Sequence, residues 1–114
     1  MSLTNAAMIV AADALRTAAT KLVVHSDDPG PLVADHAYSP TGDIVWSAAT
    51  GPGNFDFSAP VDITGLAANA PVKWVSIWNT AVDACYGVWS VGSLTADGSG
   101  LFTVTDIDVT GWVS

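Results

Sequence analysis

Hydrophobic and polar positions along the chain show two periods. Over residues 5–19 apolar side chains recur at spacings of three and four. Met8, Ala11, Leu15, Ala18 and Leu22 form one stripe, and Asp13, Arg16, Thr17 and Thr20 lie mostly off it. The spacing predicts an amphipathic helix, set at residues 4–20, and its many alanines favour helix intrinsically. Thr4 is placed to cap the first turn through its hydroxyl, with Leu3 before it where it can staple onto Met8. The small alanines allow close approach either to a sheet or to the same helix of a neighbouring copy.

Past Thr20 the period shortens to two. Lys21-Leu-Val-Val-His25 is a β-branched run that predicts a strand, and Asp27-Asp28-Pro29-Gly30 is a turn by composition. Residues 26–43 carry three prolines (Pro29, Pro31, Pro40), four acids and two glycines, with Tyr38 as the one large apolar anchor. That composition predicts a long extended surface loop, either an interaction arm or an ordinary crossover between sheets. Ile44, Trp46 and Ala48 then fall on one strand face, and Phe55 and Phe57 alternate with Asp56 and Ser58 beyond Gly51-Pro52-Gly53-Asn54, as in a hairpin. Val61-Asp-Ile63-Thr alternates cleanly. Val72, Trp74, Ser76 and Trp78 share one face of the next strand and Lys73, Val75 and Ile77 the other, so this strand is apolar on both sides and is expected to be central. Cys85 to Val91, Leu101 to Thr105 and Ile107 to Val113 supply the remaining strands. The prediction is a mainly β, single-domain antiparallel β-sandwich, Ig-like or jelly-roll-like, over residues 21–114 behind one N-terminal α-helix.

At 114 residues and 11.7 kDa the chain has room for one domain. Half of its residues are hydrophobic and 12% are charged, which excludes a disordered chain and predicts more apolar surface than a small monomer hides. An oligomer or a docking surface is therefore expected. Three cations (Arg16, Lys21, Lys73) face eleven acids, all of them aspartate, for a net charge of −8. So few scattered cations cannot release counterions from a phosphate backbone, so nucleic acid is not an expected partner. Aspartate without glutamate also fits a chain of strands and turns, where its short side chain bonds nearby backbone. The longest apolar run, Ala6 to Ala12, is far short of a membrane span, and the first residues lack the basic segment of a secretory signal. A soluble protein made in a cytoplasm is the expectation.

Candidate chemistry is sparse. A single cysteine, Cys85, allows no intrachain disulfide and reads as a buried thiol. His25 and His36 match no metal-ligand spacing, and His25, ending a strand, is expected to anchor the Asp27-Asp28 turn by hydrogen bonding. No Gly-x-Ser-x-Gly elbow is present, and Asp106-x-Asp108 lacks the glycine and terminal glutamate of a calcium loop. The sequence thus predicts no catalytic residue, no cofactor and no metal. Five tryptophans (Trp46, Trp74, Trp78, Trp89, Trp112) are expected mostly in the core, with the rest at a subunit interface or on a carbohydrate-stacking face.

Leu22-Val-Val-His25-Ser-Asp-Asp28-Pro29-Gly30 resembles the Leu-x-Leu-His-Thr-x-Asp-Pro-Gly segment of a family of small virion proteins from tailed phages of actinobacteria, described variously as capsid decoration, minor tail or tail-fibre proteins. Val45-Trp46-Ser-Ala-Ala49 resembles that family's Val-x-Trp-x-Ala-Ala strand, and Val72-Lys-Trp-Val-Ser-Ile-Trp78 its Val-Thr-His-x-Gly-Leu-Trp strand. Leu94-Thr95 and Leu101 to Val113 fit its closing hairpins, so the matches run in order over residues 5–113. Ser26 stands for the usual threonine, Ala84-Cys85 for a frequent Gly-Gly, and the loop after Gly30 is proline-rich rather than glycine-rich. The resemblance implies a non-enzymatic structural protein of the virion, foremost a capsid decoration protein on the capsid surface. Its partners would be the major capsid protein and copies of itself, the homo-oligomer it implies being a trimer. A minor tail or tail-fibre component bound to tail proteins is the alternative within virions, and a carbohydrate-binding host-adhesion module the alternative outside them. Interface residues expected on this reading are Leu3 and Met8 near the N-terminus, Pro29, Pro31, Leu32 and Tyr38 in the long loop, and Trp112.

Overall fold

A computed structural model of the chain describes residues 4–30, 34–49 and 55–105. One helix precedes six strands: α1 Asn5–Ala18, β1 Lys21–His25, β2 Ala37–Asp43, β3 Val61–Ile63, β4 Pro71–Trp78, β5 Cys85–Thr95 and β6 Phe102–Val104. The fold is mainly β and sandwich-like, with all strand pairs antiparallel, as the sequence predicts.

Thr4 caps α1, its side-chain oxygen accepting from Ala7 N–H at 3.2 Å. The helix ends when Ala19 turns extended while its own N–H still donates to Leu15 O at 2.8 Å. Its covered face is the predicted stripe, with Ala11 and Ala18 half-buried, widened by Ala12. Met8 and Ala12 are buried and Leu15 half-buried, while Leu22 has already entered β1. Ala12 lies with Phe55 in a small apolar cluster flanked by Leu15, Trp46, Ala49 and Trp89, so the helix stands on aromatic side chains of its own chain. Trp46 ties the two together: Nε1–H donates to Ala19 O at 2.7 Å, and its ring meets Phe55 edge-on with centroids 5.0 Å apart.

Four strands form one sheet in the order β2-β1-β4-β5, and β3 with β6 form the second layer. The predicted central strand is β4, hydrogen-bonded on both sides. Leu22 and Val24 of β1 and Val75 and Ile77 of β4 meet Val61 and Ile63 of β3 and Phe102 and Val104 of β6 in the main core. Full burial of each such side chain is worth roughly 1.5–3 kcal/mol, so this layer dominates stability. The layers pack closely at Gly42, where a Cβ would lie 2.5 Å from Val61 Cγ1. Between the layers, Trp46 and Phe57 form an isolated antiparallel bridge, the described part of the expected hairpin.

Two expectations are corrected. Residues 26–43 are not one long loop, because 37–43 form β2, paired with β1 from Lys21↔Asp43 to His25↔Ala37. An edge strand tolerates proline, and Pro40 falls where the register shifts between Val23 and His25. Strict alternation in β4 also fails at one residue. Val72 joins Val75 and Ile77 in the main core rather than the Trp74 face, since the β4–β5 register shifts between Val72 and Trp74. The strand expected at 107–113 lies outside the described residues.

Candidate functional site

The second face of the larger sheet holds the buried polar groups. In β1, Val23 and His25 alternate with the core residues Leu22 and Val24, and in β4, Ser76 and Trp78 alternate with Val75 and Ile77. The β1–β4 register sets Val23 opposite Ser76 and His25 opposite Trp74. His25 and Ser76 are both 0% exposed, and Trp78 is 6% exposed.

Hydrogen bonds run through these groups in one direction. His25 Nδ1 lies 2.9 Å from Asp35 O, which can only accept, so the proton sits on Nδ1. Nε2 is then an acceptor, and the Ser76 hydroxyl 2.7 Å away donates to it. Ser76 Oγ in turn accepts from Trp78 Nε1–H at 2.6 Å. Burial pushes the His25 pKa below its ordinary value, the Asp35 carbonyl works against that, and the nearby His36 adds to it. The imidazole is therefore neutral at pH 7. His25 does not hold the Asp27-Asp28 turn as expected. Those aspartates fold the turn themselves, Asp27 Oδ1 accepting from Asp28 N–H and Asp28 Oδ1 from Gly30 N–H, both at 2.8 Å.

A serine 2.7 Å from a histidine nitrogen has the atoms of an activated nucleophile. Here neither atom meets solvent, and the serine oxygen is already occupied as both donor and acceptor. The group oriented behind the imidazole is a backbone carbonyl rather than a carboxylate. What this arrangement does is clasp residues 34–36 onto the sheet.

Beside the clasp lies an open hollow of about 600 Å³, lined by Val23, Ala37, Tyr38, Trp78, Val82 and Cys85 among others. Its rim is a knotted turn. Asn79 Oδ1 accepts from Asp83 N–H at 3.0 Å and Ala84 N–H at 3.2 Å, and Asn79 Nδ2 donates to Asp83 Oδ1 at 2.6 Å. The turn holds Val82 at φ 56, a conformation that costs a β-branched residue, and leaves its side chain 38% exposed. The Cys85 thiol is half-buried rather than buried, and burial pushes its pKa up, which favours the protonated thiol.

Of the residues expected at an interface, Met8 and Pro29 are buried within the chain and offer no surface. Tyr38 is half-buried against the main core, with its hydroxyl donating to Pro71 O at 2.7 Å. Leu3, Pro31, Leu32 and Trp112 lie outside the described residues, as do Asp106 and Asp108. Trp46, Trp74 and Trp89 are half-buried. Among the described residues no three His, Cys or Asp side chains gather to hold a metal, and no helix is long and apolar enough to cross a membrane. The large apolar side chains left exposed there are Val10, Val45, Val82, Tyr86 and Leu94.

No family model matches the chain. No curated protein and no solved structure matches it either. The Ser76–Trp78 side of the clasp was legible only as a serine in an otherwise apolar strand face. Its partner His25 lies 51 positions away, joined to it by strand pairing.

Proposed function

We propose that this chain is a non-enzymatic structural protein of a phage particle, a capsid decoration protein that binds the outside of the shell, bridges its subunits and stabilises it. The observation that carries the reading is the ordered series of motifs, from Leu22–Gly30 through Val45–Ala49 to Val72–Trp78, that resembles the small virion proteins described above. The geometry is compatible with it: the one Ser–His pair among the described residues is sealed from solvent, while Val82, Tyr86 and Leu94 stand exposed for contact. The partners on this reading are the major capsid protein and further copies of the chain, and the location is the capsid surface.

Quantitative mass spectrometry of purified particles of the virus that encodes it tests this reading. A decoration protein is expected at a copy number on the order of hundreds, following the symmetry of the shell. Copies in the range of a few to tens would make it a tail or fibre component. Absence from the particle, together with tight glycan binding lost on mutating an exposed aromatic residue, would make it an adhesion module.

A further inference from the structure

The two edges of the larger sheet are protected very differently. An edge strand exposes a row of unpaired N–H and C=O groups, and proteins that stay apart blunt it with proline, charge or a short strand. The β2 edge has such devices. It contains Pro40, and its last residue, Asp43, is an exposed acid paired with Lys21. The β5 edge has neither proline nor charge, although β5 is the longest of the six strands at 11 residues. None of its residues is buried, and Tyr86 and Leu94 are 44% and 48% exposed. Its register with β4 shifts twice, at Tyr86 and over residues 91–93, and between them Gly87 to Ser90 pair one to one with Ile77 to Trp74. Among the described residues only β4 pairs with it.

We propose that β5 is the edge by which two copies of this chain associate, strand against antiparallel strand, extending the four-stranded sheet to eight across a twofold axis. Charge selects a second copy as the occupant. Each chain carries −8, so two copies repel wherever their acidic surfaces meet. Residues 84–96 form the longest uncharged stretch in the sequence. Antiparallel pairing of Cys85–Thr95 on itself therefore sets no carboxylate inside the paired strands, with Asp83 and Asp97 flanking them. A charged foreign strand would find no side chain on β5 to pair with, whereas a second β5 meets Tyr86 and Val88 with the same apolar pair on the face turned away from the core. The unit is then a dimer rather than the trimer that the resemblance implies. This inference stands apart from the virion reading, since a chain that pairs in solution but joins no particle refutes that reading and leaves this one intact.

Light scattering coupled to size exclusion on the full chain tests it across a micromolar to millimolar dilution series. The expected mass is twice 11.7 kDa at the top of the series, falling toward 11.7 kDa on dilution. The doubly substituted chain Tyr86→Lys/Ser90→Lys, altered at two exposed positions, should remain at the monomer mass throughout, while Ser39→Lys on the β2 edge should pair as the parent does. Amide hydrogen exchange provides a second readout that needs no variant: β5 amides should gain protection with concentration, and β2 amides should not. A parent chain that stays monomeric at every concentration would overturn the proposal, as would a dimer that survives both lysines or β5 protection independent of concentration.

Discussion

Removing one oxygen from the clasp should cost more than any other comparably small change on that face. In Ser76→Ala the His25 Nε2 acceptor and the Trp78 Nε1–H donor, at 2.7 and 2.6 Å from the lost hydroxyl, are both stranded where water does not reach. A buried polar group left without its partner costs roughly 1–3 kcal/mol, so two of them predict a loss of about 2–5 kcal/mol. Against a native stability of about 5–15 kcal/mol that is a large fraction. Urea denaturation reads it as a lower midpoint at unchanged slope. The same substitution made in a His25→Phe background isolates the imidazole's share. There only the indole N–H is left unpaired, and the penalty should fall to about half. A loss below about 0.5 kcal/mol, typical of a neutral surface change, would show that the chain of hydrogen bonds is not the clasp described here, and so would an equal penalty in both backgrounds.

The remaining predictions concern pH and one glycine. Because the folded-state pKa of His25 lies below its ordinary value of 6.5, the unfolded chain binds the proton first as pH falls. Stability is then full above pH 6.5 and declines from there down to the folded value, a slope that His25→Phe should remove from a pH series of urea midpoints. Asp97 acts in a separate, more acidic window. Its carboxylate, held below 3.8 by Ser99 and by the backbone N–H groups of Leu101 and Ser99, supports the 97–101 turn above that pH and ceases to as pH falls through its folded value. Gly100→Ala should cost about 3 kcal/mol or more, or prevent folding, because the residue sits at φ +82 and a Cβ there would lie 2.0 Å from the Leu66 carbonyl oxygen, which is backbone and cannot step aside. Thermal melting of that variant within a degree or two of the parent would refute the close approach.

What could be read from the sequence was local. The Thr4 cap, the β1 run, the central position of β4 and the clean alternation of Val61 to Ile63 follow from capping chemistry and period alone, and each is where it was predicted. β2 was missed because proline, glycine and acid argue for loop, and only the pairing with β1 overrides them. Val72 was assigned to the wrong face because a register shift is invisible to a strict count of two. The clasp shows the same limit. His25 was singled out and given a local partner, yet its partners are Asp35, ten positions on, and Ser76, brought by the neighbouring strand. Interface residues are expected from their place in the N-terminal segment and the long loop, and place alone cannot tell that Met8 and Pro29 are covered by their own chain.

Composition does not say where on the molecule association would occur. The accessible surface is 5988 Å², near the about 5,900 Å² of an 11.7 kDa monomer of ordinary compactness. Eighteen alanines swell the hydrophobic half of the chain while contributing little apolar area each, and most large apolar side chains among the described residues are in the core or packed against it. The drive to associate must therefore be local. Val10 and Val45 are single exposed residues of a kind every small protein shows. Tyr86 and Leu94 are different, because they sit on one strand whose backbone edge is open and uncharged among the described residues, so apolar contact and a hydrogen-bond ladder can act together there. Neither contribution is large alone, and it is their coincidence on β5 that makes this edge the place to look for the partner.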